Sequence, residues 1–282
     1  MKDKIILATV NAKKELYSTT ADEFAAVAPN VQMGLLAAYI NSINIDAEIF
    51  DSETTGLTIE GLIDAIENEQ PLLVGLICTG ANPSSSTMTM AGIVDFFQKY
   101  HERHLSEKSK VKTFIWGSHP TVLPERTLME TGADFVVRGE GYQTIVDLFH
   151  ALKNEKSLDT IEGLSYAYRT NGDIKFVHIK DAELVKDLDS LPMINWEIMH
   201  PSKYRAHNWH CFGEINKIAF RKVSKEESFI GMSSSSHSAI SCSESIWLNN
   251  LLRRSRSRCM ATFEASIFTD AVASKSFSST DF

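Results

Sequence analysis

The chain has 282 residues, of which 43% are hydrophobic and 23% charged, with 28 Lys plus Arg against 36 Asp plus Glu for a formal charge of −8. These are globular proportions that exclude wholesale disorder and a collagen-like fibre, and the length allows one large domain or two ordinary ones. The acidic balance argues against nucleic acid as a partner, and no apolar run approaches the roughly 18 residues of a membrane span.

The first apolar run, Ile5–Val10, is a strand candidate and is too short for a signal-peptide core. Met33, Leu36, Ala37 and Ile40 follow the helical i, i+3, i+4, i+7 rule, with Asn30 as a cap upstream. Ala47–Phe50 is a second strand, and Ile59, Leu62, Ile63 and Ile66 repeat the helical spacing. Leu72–Ile77 is a third strand. The helix after it, marked by Met90, Ile93, Val94, Phe97 and Tyr100, is entered from the serines at 84–86, which are good N-cap types. Thr113–Trp116 is a fourth strand, followed by a helix starting after Pro124. Phe135–Val137 is a fifth, followed by a helix on Ile145, Leu148, Phe149 and Leu152.

Runs that are apolar throughout are expected of strands covered on both faces. Strand and helix in fivefold alternation give an α/β fold, a five-stranded parallel sheet flanked by helices. Such sheets bind ligands outside the carboxyl ends of their strands. Beyond Ala151, Ile161–Tyr168 and Ile174–Ile179 flank an Asn-Gly turn and read as a β-hairpin. DLDSLPMINWEIMHPSKY then reads as an extended linker.

The composition breaks at Ile218. The last 65 residues hold 17 serines, one glycine and no proline, whereas all seven prolines lie at or before Pro201. The tail carries 8 basic and 6 acidic residues, leaving 20 and 30 upstream. With no sustained apolar period it is expected to be disordered. The division expected is therefore 1–155 as ligand-binding domain, 156–217 as hairpin and linker, and 218–282 as tail. Cys78, Cys211, Cys242 and Cys259 are too scattered for a metal cluster or a disulfide framework, which makes a reduced, cytoplasmic protein the expectation.

Among the strand exits, CTGANPSSS combines Gly80 with small hydroxyl residues ahead of a helix. It reads either as a capped loop or as a cradle for a phosphate or amide-rich ligand. No GxGxxG follows the first strand and no GxxxxGK[ST] occurs. In WGSHPTVLPE, Gly117 permits a positive φ or a close backbone approach, and His119 is a ligand contact or a structural histidine. In VVRGEGYQT, Gly139 and Gly141 flank Glu140, which accepts hydrogen bonds from a ligand's amides or favours the next helix's N-terminus. The first-strand exit, VNAKKE, lacks the acidic pair of a receiver domain.

Taken together, PNVQMGLLAAYINSINIDAEIFD, VGLICTGAN, WGSHPTVLPERTLMETGADFVVRGEGYQTIVDLFHAL, IEGLSYAYRTNGDI and DLDSLPMINWEIM resemble the N-terminal cobalamin-binding domain of cobalamin-dependent radical SAM enzymes, in the family's order over most of residues 1–210. The resemblance implies a flavodoxin-like (Rossmann-like) sheet with cobalamin across its carboxyl edge. By position it implies cofactor contacts at Thr79, Gly80, Asn82, Ser84, Gly117, Ser118, His119, Gly139, Glu140 and Gly141. Two departures narrow that groove: Gly117-Ser118 stands where many relatives have two glycines, and Tyr142 where they have an acidic residue. The DxHxxG motif that supplies a histidine to cobalt is absent, which matches the branch in which cobalt receives no protein nitrogen from below.

In the family the linker runs into a barrel whose CxxxCxxC motif holds a four-iron four-sulfur cluster that binds S-adenosylmethionine. This chain reaches HNWHCFGEINK and turns into the serine-rich tail with no cysteine at that spacing. The resemblance thus implies a corrinoid-binding module lacking the radical SAM barrel, with no residue here assigned a catalytic or metal-ligand role. The tail is then either sequence read from a shifted frame or a natural disordered extension. Two other functions compete: a radical SAM enzyme whose cluster is built from scattered cysteines, and a doubly wound domain binding another ligand such as a flavin.

Overall fold

The computed structural model describes residues 2–11, 27–79, 83–105, 109, 111–170 and 172–204. Gly80, Asn82 and the whole serine-rich tail lie outside the described residues, as does the side chain of Ser84.

Five strands run parallel: β1 (Lys2–Thr9), β2 (Asp46–Asp51), β3 (Pro71–Cys78), β4 (Lys112–Gly117) and β5 (Phe135–Val137). Helices connect them: α1 (Val31–Ser42), the single turn α2 (Ser52–Thr55), α3 (Ile59–Glu69), α4 (Pro83–Arg103), α5 (Ser118–Val122), α6 (Pro124–Thr131) and α7 (Tyr142–Lys153). Among the five parallel strands the order is β2-β1-β3-β4-β5, so the chain reverses direction across the sheet between β1 and β3. This is the flavodoxin-like winding.

Side-chain parity on the strands divides the core in two. Ile5, Leu7, Leu73, Phe114, Trp116 and Val137 face α1 and α7, meeting Met33, Leu36, Ile40, Ile145 and Phe149. Ile6, Ala8, Val74, Leu76 and Ile115 face α3 and α4, meeting Leu62, Ile66, Ile93, Phe96 and Phe97. Neighbours along a strand point to opposite faces, so a sheet covered twice needs apolar residues at both parities. Gly75, in the middle of β3, is paired directly with Phe114, and a Cβ there would lie 2.2 Å from the ring's Cζ. The bare backbone is what lets that ring lie across the strand.

Three local expectations change. The serines at 84–86 do not precede α4 but fall within its first turn, where Ser86 donates from Oγ to the Cys78 carbonyl. The hairpin, β6 (Leu164–Thr170) and β7 (Asp173–His178), is no appendage: β6 pairs antiparallel with β5 and extends the sheet to seven strands. The boundary expected near 155 therefore falls inside one continuous sheet. The segment expected as an extended linker is folded onto the domain. It carries two 3-10 turns and the short helix α8 (Trp196–Met199), and it buries Ile194, Met199 and Tyr204. Asn30 and Pro124 hold the helix-start positions read from the sequence.

Candidate functional site

The register pairs Thr9 with Asp51, Cys78 with Gly117, and Trp116 with Val137. The exits of all five parallel strands thus share one rim, which the N-termini of α1, α4, α5 and α7 approach.

At the β3 exit, Thr79 is nearly buried, and the Asn30 side-chain amide donates to its hydroxyl over 2.8 Å. Asn30 also caps α1, accepting from the Met33 amide at 3.0 Å, so one side chain ties α1 to the β3 exit. The Cys78 thiol donates to the Ser86 carbonyl at 3.0 Å, and burial pushes its pKa up, which leaves it an inert structural thiol.

At the β4 exit, Gly117 has φ 147° and ψ −171°, and a Cβ there would stand 1.8 Å from the Cys78 carbonyl oxygen. The glycine is demanded by the neighbouring strand itself. Ser118 is exposed at the start of α5. His119 lies half-buried with Nδ1 3.2 Å from the Thr87 hydroxyl. Burial, helped by the Arg126 cation, holds its pKa below the usual 6.5. The imidazole is neutral at pH 7, and when Thr87 donates to Nδ1 the other nitrogen carries the proton.

At the β5 exit, Gly139 is exposed with φ 74°, and a Cβ built on it meets nothing within 4 Å. Its carbonyl accepts from Trp116 Nε1 at 3.0 Å and its amide donates to the Thr121 hydroxyl at 3.0 Å. Gly141 caps α7 beside the Trp116 ring. Glu140 accepts from the Val185 amide at 2.6 Å, so within this chain its carboxylate holds the segment after the hairpin. Burial, with the Glu140 carboxylate nearby, pushes the Tyr142 phenol up to about 12, so its hydroxyl is neutral.

The structure brings Thr79, Gly117, Ser118, His119, Gly139, Glu140 and Gly141 to three adjacent strand exits. It adds the β2 exit, where Asp51, Ser52 and Glu53 stand out in the sequence only as the place at which DxHxxG is absent. Asp51 is buried and accepts from Thr9 Oγ1 at 2.8 Å, the Glu53 amide at 3.1 Å and Tyr204 Oη at 3.0 Å. Its sequence signal was a carboxylate ending a strand run. Ser52 Oγ, His119 Nε2 and Arg138 Nε are all buried without a hydrogen-bond partner, and each stands within two residues of the end of β2, β4 or β5. Buried polar groups are ordinarily paired, and each orphan costs about 1–3 kcal/mol. Of the four such atoms among the described residues three gather at strand exits, the fourth being Glu67 Oε1 on α3, and the backbone at Gly139 is open.

Among the described residues no group of three or more His, Cys, Asp or Glu could hold a metal ion, and no helix is long and apolar enough to cross a membrane.

Comparison with known proteins agrees with this geometry. Residues 17–149 match the sequence profile of the family described as "B12 binding domain". "Uncharacterized methyltransferase PH0819" of Pyrococcus horikoshii is 28% identical over 199 residues, which span 70% of this chain and 38% of that protein. The anaerobic magnesium-protoporphyrin IX monomethyl ester cyclase of Synechocystis sp. is 32% identical over 75 residues, 27% of this chain and 14% of that one. The structure of the cobalamin-dependent S-adenosylmethionine radical enzyme OxsB with aqua-cobalamin bound shares the fold with TM-score 0.51 at 20% identity, over 70% of this chain and 24% of that chain. The chain therefore spans well under half the length of each of these proteins. The profile match and the winding of the sheet together identify residues 17–149 as a B12-binding domain, whose cofactor is cobalamin.

Proposed function

We propose that the chain is a corrinoid-binding module that takes cobalamin at the exits of β3, β4 and β5 and performs no catalysis on its own. The observation that carries the reading is the set of unpartnered buried polar atoms at strand exits, beside the open backbone of Gly139. That His119 Nε2 and Arg138 Nε lack partners within the chain supports a role as donors to oxygen or nitrogen acceptors of the cofactor. Thr79, the exposed Ser118 and Gly139 form a low wall against which its nucleotide tail packs. Gly80, Asn82 and Ser84 complete the contact set by sequence position. Cobalamin, when bound, supplies a cobalt that can carry a methyl group, in keeping with the methyltransferase name of the Pyrococcus relative.

The absence of a CxxxCxxC motif supports a module without its own radical chemistry. The composition break at Ile218 supports a tail that replaces downstream sequence, by a shifted frame or otherwise.

The test is gel filtration of the full chain with hydroxocobalamin, followed by the corrin absorption band. Wild type is expected to retain the band, and Ser118→Trp, which places an indole on the rim at an exposed helical position, to lose it with an unchanged urea midpoint. Retention by Ser118→Trp equal to wild type would move the groove elsewhere. No retention by wild type would end the corrinoid reading.

A further inference from the structure

The segment after the hairpin is pinned at both ends of the strand-exit rim. β7 runs parallel to the core strands, since β6 reverses and β7 reverses again, so Ile179 and Lys180 leave it on the rim. There Arg138 bonds the Asp181 carboxylate and the Ile179 carbonyl, and Glu140 accepts from the Val185 amide at 2.6 Å. The chain next lies against α1 so closely that a Cβ on Gly34 would sit 3.2 Å from Ile194 Cγ2 and from Met199 Sδ. It reaches Tyr204, 1% exposed, whose hydroxyl donates to Asp51 at the β2 exit. Burial beside that carboxylate keeps the phenol protonated, so the bond is a neutral donor to an anion.

Both anchors adjoin the unpartnered atoms of the rim. Arg138 itself carries one orphan at Nε, and Ser52, with another at Oγ, follows Asp51 directly. Releasing either anchor would displace a ligand-facing group.

We propose that residues Lys180–Tyr204 are a strap forming the fixed wall of the corrinoid site on the α1 and α7 side, and that Asp51, through Tyr204, is the positioning residue that latches it. This rests on the corrinoid reading above. Because strap closure and corrinoid binding share one equilibrium, each strengthens the other by the same factor.

The test uses hydrogen–deuterium exchange of the full chain with hydroxocobalamin as probe. Tyr204→Phe removes the hydroxyl that donates to Asp51 and keeps the ring, and Tyr204→Ala also removes the buried ring. Amides of 191–204 are expected to be protected in wild type, to exchange about tenfold faster in the Phe variant, and to lose protection in the Ala variant. Amides of β3 and β4 should hold their protection throughout. Hydroxocobalamin affinity should fall in the same order, and saturating hydroxocobalamin should slow strap exchange in wild type. A purely structural strap would open in the variants without changing affinity, and that result overturns the proposal while the corrinoid reading stands. Unprotected strap amides in wild type, or strap exchange indifferent to hydroxocobalamin, would overturn it likewise. Wild type that binds no hydroxocobalamin overturns both.

Discussion

Gly117 and Gly139 look alike in sequence, as glycines at consecutive strand exits, yet the structure separates them by several kcal/mol. At Gly117, φ 147° with ψ −171° is a backbone region almost closed to other residues, and holding alanine there costs about 1–3 kcal/mol. Its Cβ would also stand 1.8 Å from Cys78 O and 2.5 Å from Cys78 C, atoms of a paired main chain that cannot swing aside. Forcing the strands apart adds about 1–3 kcal/mol, as other overpacked substitutions do. Gly117→Ala should therefore lose about 2–6 kcal/mol, a large part of the about 5–15 kcal/mol that such a domain has. At Gly139, φ 74° is left-handed but the space is empty. Only the backbone term of about 1–2 kcal/mol remains, partly offset by the stiffer unfolded chain. Urea unfolding followed by circular dichroism measures both. The Gly117→Ala midpoint should fall by more than about 1 M and that of Gly139→Ala by about 0.5 M or less, with m unchanged. Equal midpoints would refute the assignment of Gly117 to strand packing.

His119 gives a pH prediction. Its folded pKa lies below the 6.5 of the unfolded chain because burial opposes the cation, so below 6.5 the unfolded state binds more protons and stability falls as pH falls. Wild type should lose stability relative to His119→Gln between pH 7 and 5, and the ring should titrate below 6.5 by NMR; parallel stability curves would refute it. The tail gives a simpler one. The encoding DNA beyond Lys217, read in its other two frames, should show CxxxCxxC, and its absence from both would remove the shifted-frame reading.

The parallel core was legible because burial on both faces writes strands as unbroken apolar runs. Phe135–Val137 is even bounded as read. The hairpin was legible as a hairpin, but no local pattern says which edge it joins, since pairing with β5 is decided by geometry across the sheet. In sequence the strap reads as a linker, because Ile194, Met199 and Tyr204 follow neither a helical nor a strand period. Its burial is made by contacts with distant α1 and Asp51. At the site, a sequence shows that a backbone is bare but not what approaches it. Gly117 is approached by its own neighbouring strand, whereas Gly139 faces open space. Glu140 was legible as an acceptor for amides, while Val185, the amide it takes within the chain, lies 45 residues on.

Gly75 and Phe114 share one parcel of volume at the centre of the sheet, the ring filling what the missing side chain vacates. Neither can drift independently: a methyl at 75 collides with the ring, and a small residue at 114 leaves a void of about 3–5 kcal/mol. Any history that exchanges this pair must pass through a weakened single mutant or change both codons together. The two positions should therefore behave as one heritable character in a library that randomises them jointly.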